Sequence, residues 1–413
     1  MGNHGKKINI AIIIPRFSGG GAERTVSKLS FYLPGNRFEK YIVIFDAGEM
    51  KYEYEGHLVN LNLKASHSVP GKLIQLMKRI VKLKKVKQQF QIQISVSFLN
   101  NANIVNILSR VGDNIILSIR NDPTKSIQTF YRKIQNFLLK IFYKRADLLI
   151  AVSKGVQDHL IKNYQINPNK TRVISNFVDL AQIRDLSAQE IELELEDLFQ
   201  QPVIISVGRL TKQKGQWHLI RAFKKVKEIF SELKLVFLGE GELESYLKEL
   251  VHKLNLEKEV YFLGFQQNPF KLIARSKFIV LSSIYEGYPN VLIEAMACGI
   301  PVISTDCDSG PREILAPDTN FKIRTKTIEY AKYGILVPAL SGYFLRAELP
   351  LTKEENLLAE SMIALNASGE LFIKYAKRSL IRAHDFEIKK NMVEYEKVFA
   401  DILYESISKN EHH

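Results

Sequence analysis

Two doubly wound α/β domains facing each other across a cleft are predicted by three features of this 413-residue chain. Short apolar, β-branched runs alternate with stretches of helical periodicity in two successive blocks, the pattern of parallel sheets covered on both faces. The length exceeds one ordinary core and suits two of about 200 residues each. Between the blocks, Asp185 to Gln201 turns acidic and polar, with Glu190, Glu192, Glu194, Glu196 and Asp197, as a linker would. The expected division is 1–184, a linker over 185–201, 202–385, and a C-terminal helix over 386–413 with Met392, Tyr395, Val398 and Phe399 at helical spacing.

Composition narrows the class. Hydrophobic residues make up 46% and charged residues 25%, which excludes a disordered or fibrous chain. No stretch reaches the roughly 18 apolar residues of a spanning helix. The start MGNHGKKINIAIII has a short apolar run without a small-residue cleavage site, so it reads as a first strand rather than a signal peptide. Cys298 and Cys307 are too few for a disulfide framework and are expected to be reduced, buried thiols of a cytoplasmic protein. A net charge of +14 calls for an anionic partner: nucleic acid, an anionic membrane surface or a phosphorylated substrate.

In the first block, Ile8 to Ile14 ends at Pro15 as a buried strand. Ser18-Gly19-Gly20-Gly21-Ala22-Glu23-Arg24 follows and opens a helix through Val26, Leu29 and Leu33. Glycine admits close backbone approach and a helix start offers amide donors, so Gly20 and Gly21 are either an anion-facing loop or a tight turn. Further strands are expected at Tyr41–Asp46, Ile92–Ser97, Asn114–Arg120, Asp147–Ser153 and Arg172–Asn176. Pro70 to Phe90 carries Lys72, Lys78, Arg79, Lys82, Lys84, Lys85 and Lys87 and no acid, with Leu73, Leu76, Met77, Ile80, Val81, Leu83 and Val86 at helical spacing. This basic amphipathic helix is expected to pack its apolar stripe inward and turn its cations to an anionic bilayer. The basic, aromatic stretch from Phe130 to Arg145 extends that surface.

In the second block, strands are expected at Val203–Val207, Leu235–Leu238, Val260–Leu263, Phe278–Leu281 and Pro301–Ser304. The turn Gly208 to Gly215 after the first of these holds Arg209 and Lys214. Tyr285 to Gly299, reading YEGYPNVLIEAMACG, places Glu286 in a turn that runs to Asn290 and Glu294 one to two turns inside a helix expected over Val291 to Cys298. A helix start suits a phosphate, and a buried carboxylate needs hydrogen-bond donors such as sugar hydroxyls. The plainer alternative makes Glu286 a helix cap and Glu294 a surface residue.

Gly19-Gly20-Gly21-Ala22-Glu23-Arg24, Val207-Gly208-Arg209-Leu210 with Lys214-Gly215, Gly239-Glu240-Gly241, Glu286 to Gly299 and Gly310-Pro311-Arg312-Glu313 together resemble the glycosyltransferases of family four, retaining enzymes of the GT-B fold with two Rossmann-like domains. The resemblance implies that Arg209 and Lys214 hold the donor diphosphate and, with Glu286, form the catalytic set. Gly287, Tyr288, Pro289, Asn290 and Val291 would contact the sugar and phosphates, and Glu294 the nucleotide ribose. Gly20 and Gly21 would approach the diphosphate, and the C-terminal helix would cross back to the first domain. Where many members place a histidine this chain has Arg120-Asn121, a pair similar to that of a sub-branch in bacterial surface polysaccharide assembly, so both are acceptor- or sugar-side candidates. Leu263-Gly264-Phe265, Asn268-Pro269 and Pro289-Asn290 point to the same sub-branch. Ala316 to Leu351 is atypical and receives no role.

The resulting expectation is a metal-independent hexosyltransferase without a cofactor, moving a sugar from a UDP-sugar to a lipid-linked saccharide in bacterial surface polysaccharide or glycoconjugate synthesis. It would sit peripherally on the inner face of the cell membrane. A soluble or protein acceptor is the alternative within enzymes, and a basic nucleic-acid-binding protein the alternative outside them. The latter lacks stacking aromatics or a recognisable module in its basic segments.

Overall fold

The computed structural model describes residues 7–18, 20–48, 50, 52–66, 68–120 and 139–411. The chain forms two compact units, residues up to Asn176 together with those from Lys389 onward, and Phe177–Ile388. The division thus falls at 176/177 rather than in the acidic stretch. Residues 185–201 carry the end of the helix Leu180–Ser187 and the helix Leu193–Gln200, and belong to the second unit. Lys271 donates to Glu192 at 2.7 Å and Asn268 Nδ2 to the Leu186 carbonyl at 2.8 Å, so the acidic residues serve as a docked flank of that unit.

The first unit is built on seven parallel strands: β1 Ile8–Ile14, β2 Phe38–Ile44, β3 His57–Asn60, β4 Ile94–Phe98, β5 Asn114–Ile119, β6 Leu148–Ala151 and β7 Thr171–Val173. Their order is β3-β2-β1-β4-β5-β6-β7, so the winding reverses between β1 and β4. β1 is paired on both sides, with Ile12 beside Ile42 and Val96, and its buried Ile10 to Ile14 explain the unbroken apolar run. The helix Ile388–Glu411 returns to this unit, seating Phe399 edge-on against Phe38 with centroids 5.9 Å apart.

The second unit repeats the plan with β8 Val203–Val207, β9 Lys234–Leu238, β10 Val260–Phe262, β11 Phe278–Leu281, β12 Val302–Thr305, β13 Glu329–Tyr330 and β14 Ile335–Val337. The order is β10-β9-β8-β11-β12-β14-β13, and β13 alone runs antiparallel, against β14. β13 and β14 lie in the segment 316–351 that the sequence left without assignment.

The helix Val69–Gln89 forms as expected, with Ser68 accepting from the Gly71 amide at its start, but its rotational setting differs from the expectation. Leu76, Ile80, Leu83 and Val86 pack inward with Ile13, Val43 and Phe90. Leu73, Ile74, Met77 and Val81 instead point to solvent, with 62, 54, 55 and 50% of their surface exposed. Three of the basic residues turn the other way. Lys87, expected on the membrane side, is fully buried, its ammonium 2.8 Å from Asp113 and 2.7 Å from Asn106 Oδ1. A buried ammonium is tolerable only with such partners, and burial still pushes it down to about 8. Arg79 donates to the Leu63 carbonyl at 3.0 Å and covers the Phe45 ring, and Lys82 donates to the Leu61 carbonyl at 2.7 Å. Lys72, Lys78, Lys84 and Lys85 remain exposed. Of the basic stretch after Phe130, residues 130–138 lie outside the described residues.

Candidate active site

In the second unit the winding reverses between β8 and β11, since β8 is followed by its neighbour on one side and β11 lies on the other. Loops leaving the carboxyl ends of two such strands open a crevice that parallel sheets use for ligands. The loop after β8 is Gly208 to Gly215, and the loop after β11 is Ser282 to Pro289, so the two candidate stretches meet because of strand order alone.

Their contact is polar and specific. The Lys214 ammonium donates to Glu286 Oε1 at 2.6 Å, with 17 and 7% of the two side chains exposed. Ser283 Oγ donates to the same oxygen at 2.7 Å, and Gln213 Nε2 donates to Glu286 Oε2 at 3.3 Å and to the Tyr285 carbonyl at 3.1 Å. Both carboxylate oxygens are therefore engaged, and Glu286 is not a helix cap. The loops are also joined through the backbone, Ile284 N donating to the Gln213 carbonyl at 2.8 Å and Ser282 Oγ to the Lys214 carbonyl at 2.9 Å. Gly215 makes this approach possible. It holds φ +60°, and a Cβ there would stand 2.5 Å from the Ser282 carbonyl oxygen. Arg209, at the mouth of the loop, is exposed.

The turn Glu286 to Pro289 feeds the helix Asn290–Ala297, whose N-cap Pro289 has no side-chain acceptor to offer the first amides. Glu294 lies inside this helix and is 7% exposed, which rules out the surface alternative. Beneath the turn, Gly310 holds φ +86°, and a Cβ there would lie 2.6 Å from Pro289 Cδ. Arg312 is occupied with Asp306 and Glu329, both at 2.6 Å. Cys298 and Cys307 form no disulfide, and burial pushes the Cys298 thiol up to about 12.

In the first unit, Gly20 is the N-cap of the helix Gly21–Tyr32, directly after β1 at that sheet's own reversal. The Glu23 carboxylate leans over this end, 2.5 Å from where a Cβ on Gly20 would be. Arg120, at the end of β5, donates to Thr25 Oγ1 at 2.7 Å and to Asn176 Oδ1. Gly19 and Asn121 lie outside the described residues.

The loops of the second unit carry two cations, Arg209 exposed and Lys214 paired with Glu286, and a helix start, the chemical elements from which an anion site can be built. Among the described residues no three His, Cys, Asp or Glu side chains gather as a metal site would require.

Sequence reasoning missed Gln213 and Ser283, which have no signature beyond adjacency to Lys214 and Glu286. It also missed how 341–350 is held. Trp217 Nε1 donates to the Tyr343 carbonyl at 3.0 Å, His218 Nε2 lies 2.8 Å from the Ser341 carbonyl, and Arg221 donates to the carbonyls of Arg346, Leu349 and Pro350. Glu355, buried, is 2.9 Å from Arg221 Nε and 2.8 Å from His218 Nδ1, and these contacts hold its carboxyl below the usual range against desolvation.

Two Rossmann-like units, each a parallel sheet with its own point of reversal, make up the architecture of the GT-B fold. Residues 19–182 match the family model described as Glycosyltransferase Family 4, and residues 192–333 that of Glycosyl transferases group 1. The chain belongs to the family-four glycosyltransferases. It is similar to a glycosyltransferase of Methanocaldococcus jannaschii, 38% identical over 335 residues that cover 78% of this chain and 82% of the relative. It is also 35% identical over 317 residues, 75% of this chain and 84% of the relative, to the N-acetylgalactosamine-N,N'-diacetylbacillosaminyl-diphospho-undecaprenol 4-alpha-N-acetylgalactosaminyltransferase of Campylobacter jejuni. Among solved structures, Anabaena HepE in complex with UDP-glucose superposes with a TM-score of 0.73 at 18% identity, over 95% of this chain and 100% of that one, a likeness of fold.

Proposed function

We propose that this glycosyltransferase moves a sugar from a UDP-sugar to a membrane lipid-linked saccharide, with retention at the anomeric carbon, in the assembly of a bacterial surface polysaccharide or glycoconjugate. The observation that carries the reading is the likeness over most of both chains to a Campylobacter enzyme named for transfer to a saccharide on diphospho-undecaprenol. Arg209 and Lys214 hold the donor diphosphate and offset the charge that develops on the leaving nucleotide, work that a metal ion does elsewhere, so no metal is required. Gly287, Tyr288, Pro289, Asn290 and Val291 line the sugar and phosphates, Glu294 accepts from the ribose, and Gly20 and Gly21 lend amides to the diphosphate. Glu286 acts as a positioning and electrostatic group. Its engagement through both oxygens supports that role over a nucleophile's.

For the membrane, the support is the solvent-facing ridge of Leu73, Ile74, Met77 and Val81, flanked by Lys72, Lys78, Lys84 and Lys85. Apolar side chains that enter the acyl boundary beneath cations that meet anionic headgroups are the composition of a helix lying in the interface. Among the described residues no helix is long and apolar enough to cross a bilayer. Peripheral attachment to the inner face of the cell membrane is accordingly part of the proposal, supported by that ridge.

The test is a panel of nucleotide sugars offered with an undecaprenyl-diphosphate-linked saccharide, products read by mass and by anomeric coupling, with and without a chelator. An α-linked product from a UDP-sugar, formed equally with chelator, is expected. An inverted product, a strict need for metal or transfer to soluble acceptors alone would overturn the corresponding part. In parallel, Leu73, Ile74, Met77 and Val81 changed together to serine should abolish binding to anionic vesicles. Undiminished binding, or binding to nucleic acid instead, would remove the membrane reading.

A further inference from the structure

Arg120 joins three segments of the first unit. Its Nη2 donates both to Thr25 Oγ1 at 2.7 Å and to Asn176 Oδ1. Thr25 Oγ1 passes the contact on, donating to the Gly21 carbonyl at 3.0 Å in the first turn of its helix. Asn176 is the last residue before the chain leaves this unit, and the chain returns at Lys389. There Asn391 Nδ2 donates to the Ser175 carbonyl at 2.9 Å, and buried Tyr395 lies beside the guanidinium, as does Glu23. Burial pushes the Arg120 guanidinium below its usual range, so the site holds a cation at a cost that its hydrogen bonds must offset.

We propose that Arg120 is a positioning residue of the transfer reaction. Through Thr25 it fixes the Gly21 carbonyl and the start of the helix whose amides serve the donor diphosphate, and through Asn176 it ties that start to the segment where the chain crosses out of the unit. The inference rests on the nucleotide-sugar reading given above. Both hydrogens of Nη2 are spent on Thr25 and Asn176, so through this nitrogen Arg120 acts on the helix start at Gly20 and Gly21. A lysine cannot replace it, because its shorter stem does not carry a nitrogen to the position that Nη2 holds between Thr25 and Asn176.

The experiment compares Thr25→Val, Arg120→Lys and the double variant with wild type. Thr25→Val keeps nearly the same shape and removes only the relay hydroxyl. UDP binding is measured by calorimetry, turnover by UDP release from the UDP-sugar that the panel selects, and folded fraction by circular dichroism. Each single variant is expected to stay folded and lose roughly ten- to hundredfold in kcat, the scale of a small misplacement of reacting groups. The double variant should lose no more than the worse single, as for residues acting as one unit. Added guanidinium ion should restore part of the activity of Arg120→Ala and none of that of Thr25→Val. Turnover within about threefold of wild type per folded molecule in both single variants, or strictly additive losses, overturns the proposal while leaving the donor site intact. A wild type that binds no UDP and consumes no nucleotide sugar overturns the nucleotide-sugar reading, and this inference with it.

Discussion

Replacing Lys214 by alanine separates the two tasks that its ammonium performs. In the unliganded site it neutralises Glu286 at 2.6 Å, and in the proposed reaction it is drawn to the diphosphate. Loss of one transition-state charge contact costs roughly a hundred- to a thousandfold in kcat, or about 2.7–4 kcal/mol. The cost to folding is smaller. Stripping a wholly buried charge of its partner costs about 3–5 kcal/mol, but Glu286 retains Ser283 Oγ at 2.7 Å and Gln213 Nε2 at 3.3 Å. A loss of about 1–3 kcal/mol is therefore expected, the scale of one group left short of a donor. Adding Glu286→Gln removes the stranded charge while keeping its shape, so the double variant should recover about 1 kcal/mol or more of stability and none of the rate. Urea unfolding gives the first quantity and UDP release the second. A kcat for Lys214→Ala within tenfold of wild type, or a double variant no more stable than the single, would refute the reasoning.

Glu294→Ala should raise the donor KM by roughly ten- to hundredfold, the worth of a hydrogen bond to a charged group, with a smaller change in kcat. Undiminished turnover at low donor concentration would contradict the ribose role. Lys87→Met should destabilise the first unit by about 3–5 kcal/mol by leaving Asp113 buried without its cation. The wild type should carry a pH signature that this variant lacks. Because burial brings the folded-state value to about 8, against 10.5 for a free lysine, the folded state releases its proton first and stability contributed by this group rises between those two pH values. A flat difference between wild type and variant across that window would contradict it.

Local pattern carried the sheets well where strands are buried on both faces. β8 falls where its four apolar, β-branched residues lie around Ser206, and the winding could be anticipated from alternation alone. β3, with His57 and Asn60 at its ends, sits at a sheet edge and has no apolar run, while β13 and β14 span two and three residues and offer no period to read. For the helix Val69–Gln89 the periodicity specified the element but not its rotation, because apolar residues occur almost all round it. Which of them face inward depends on partners such as Asp113 and the carbonyls of Leu61 and Leu63, none of them adjacent in sequence. The candidate-site stretches stood out as motifs, yet the bond between Lys214 and Glu286, 72 positions apart, depends on the strand order that places β8 beside β11.

The tether of residues 341–350 has a consequence for how this region can change. Trp217, His218 and Arg221 meet it at the carbonyls of Ser341, Tyr343, Arg346, Leu349 and Pro350, and every amino acid supplies a carbonyl. Apart from Phe344, whose ring packs between Trp217 and Tyr246, and Ala347, which packs on the core, these anchors do not depend on which side chains the segment bears. Its path is inherited from the helix Gln216–Lys227, while its surface is left open to drift. A lineage can therefore repaint Tyr343 and its neighbours without redesigning the scaffold, whereas a change at Arg221 would free the carbonyls of Arg346, Leu349 and Pro350 at once.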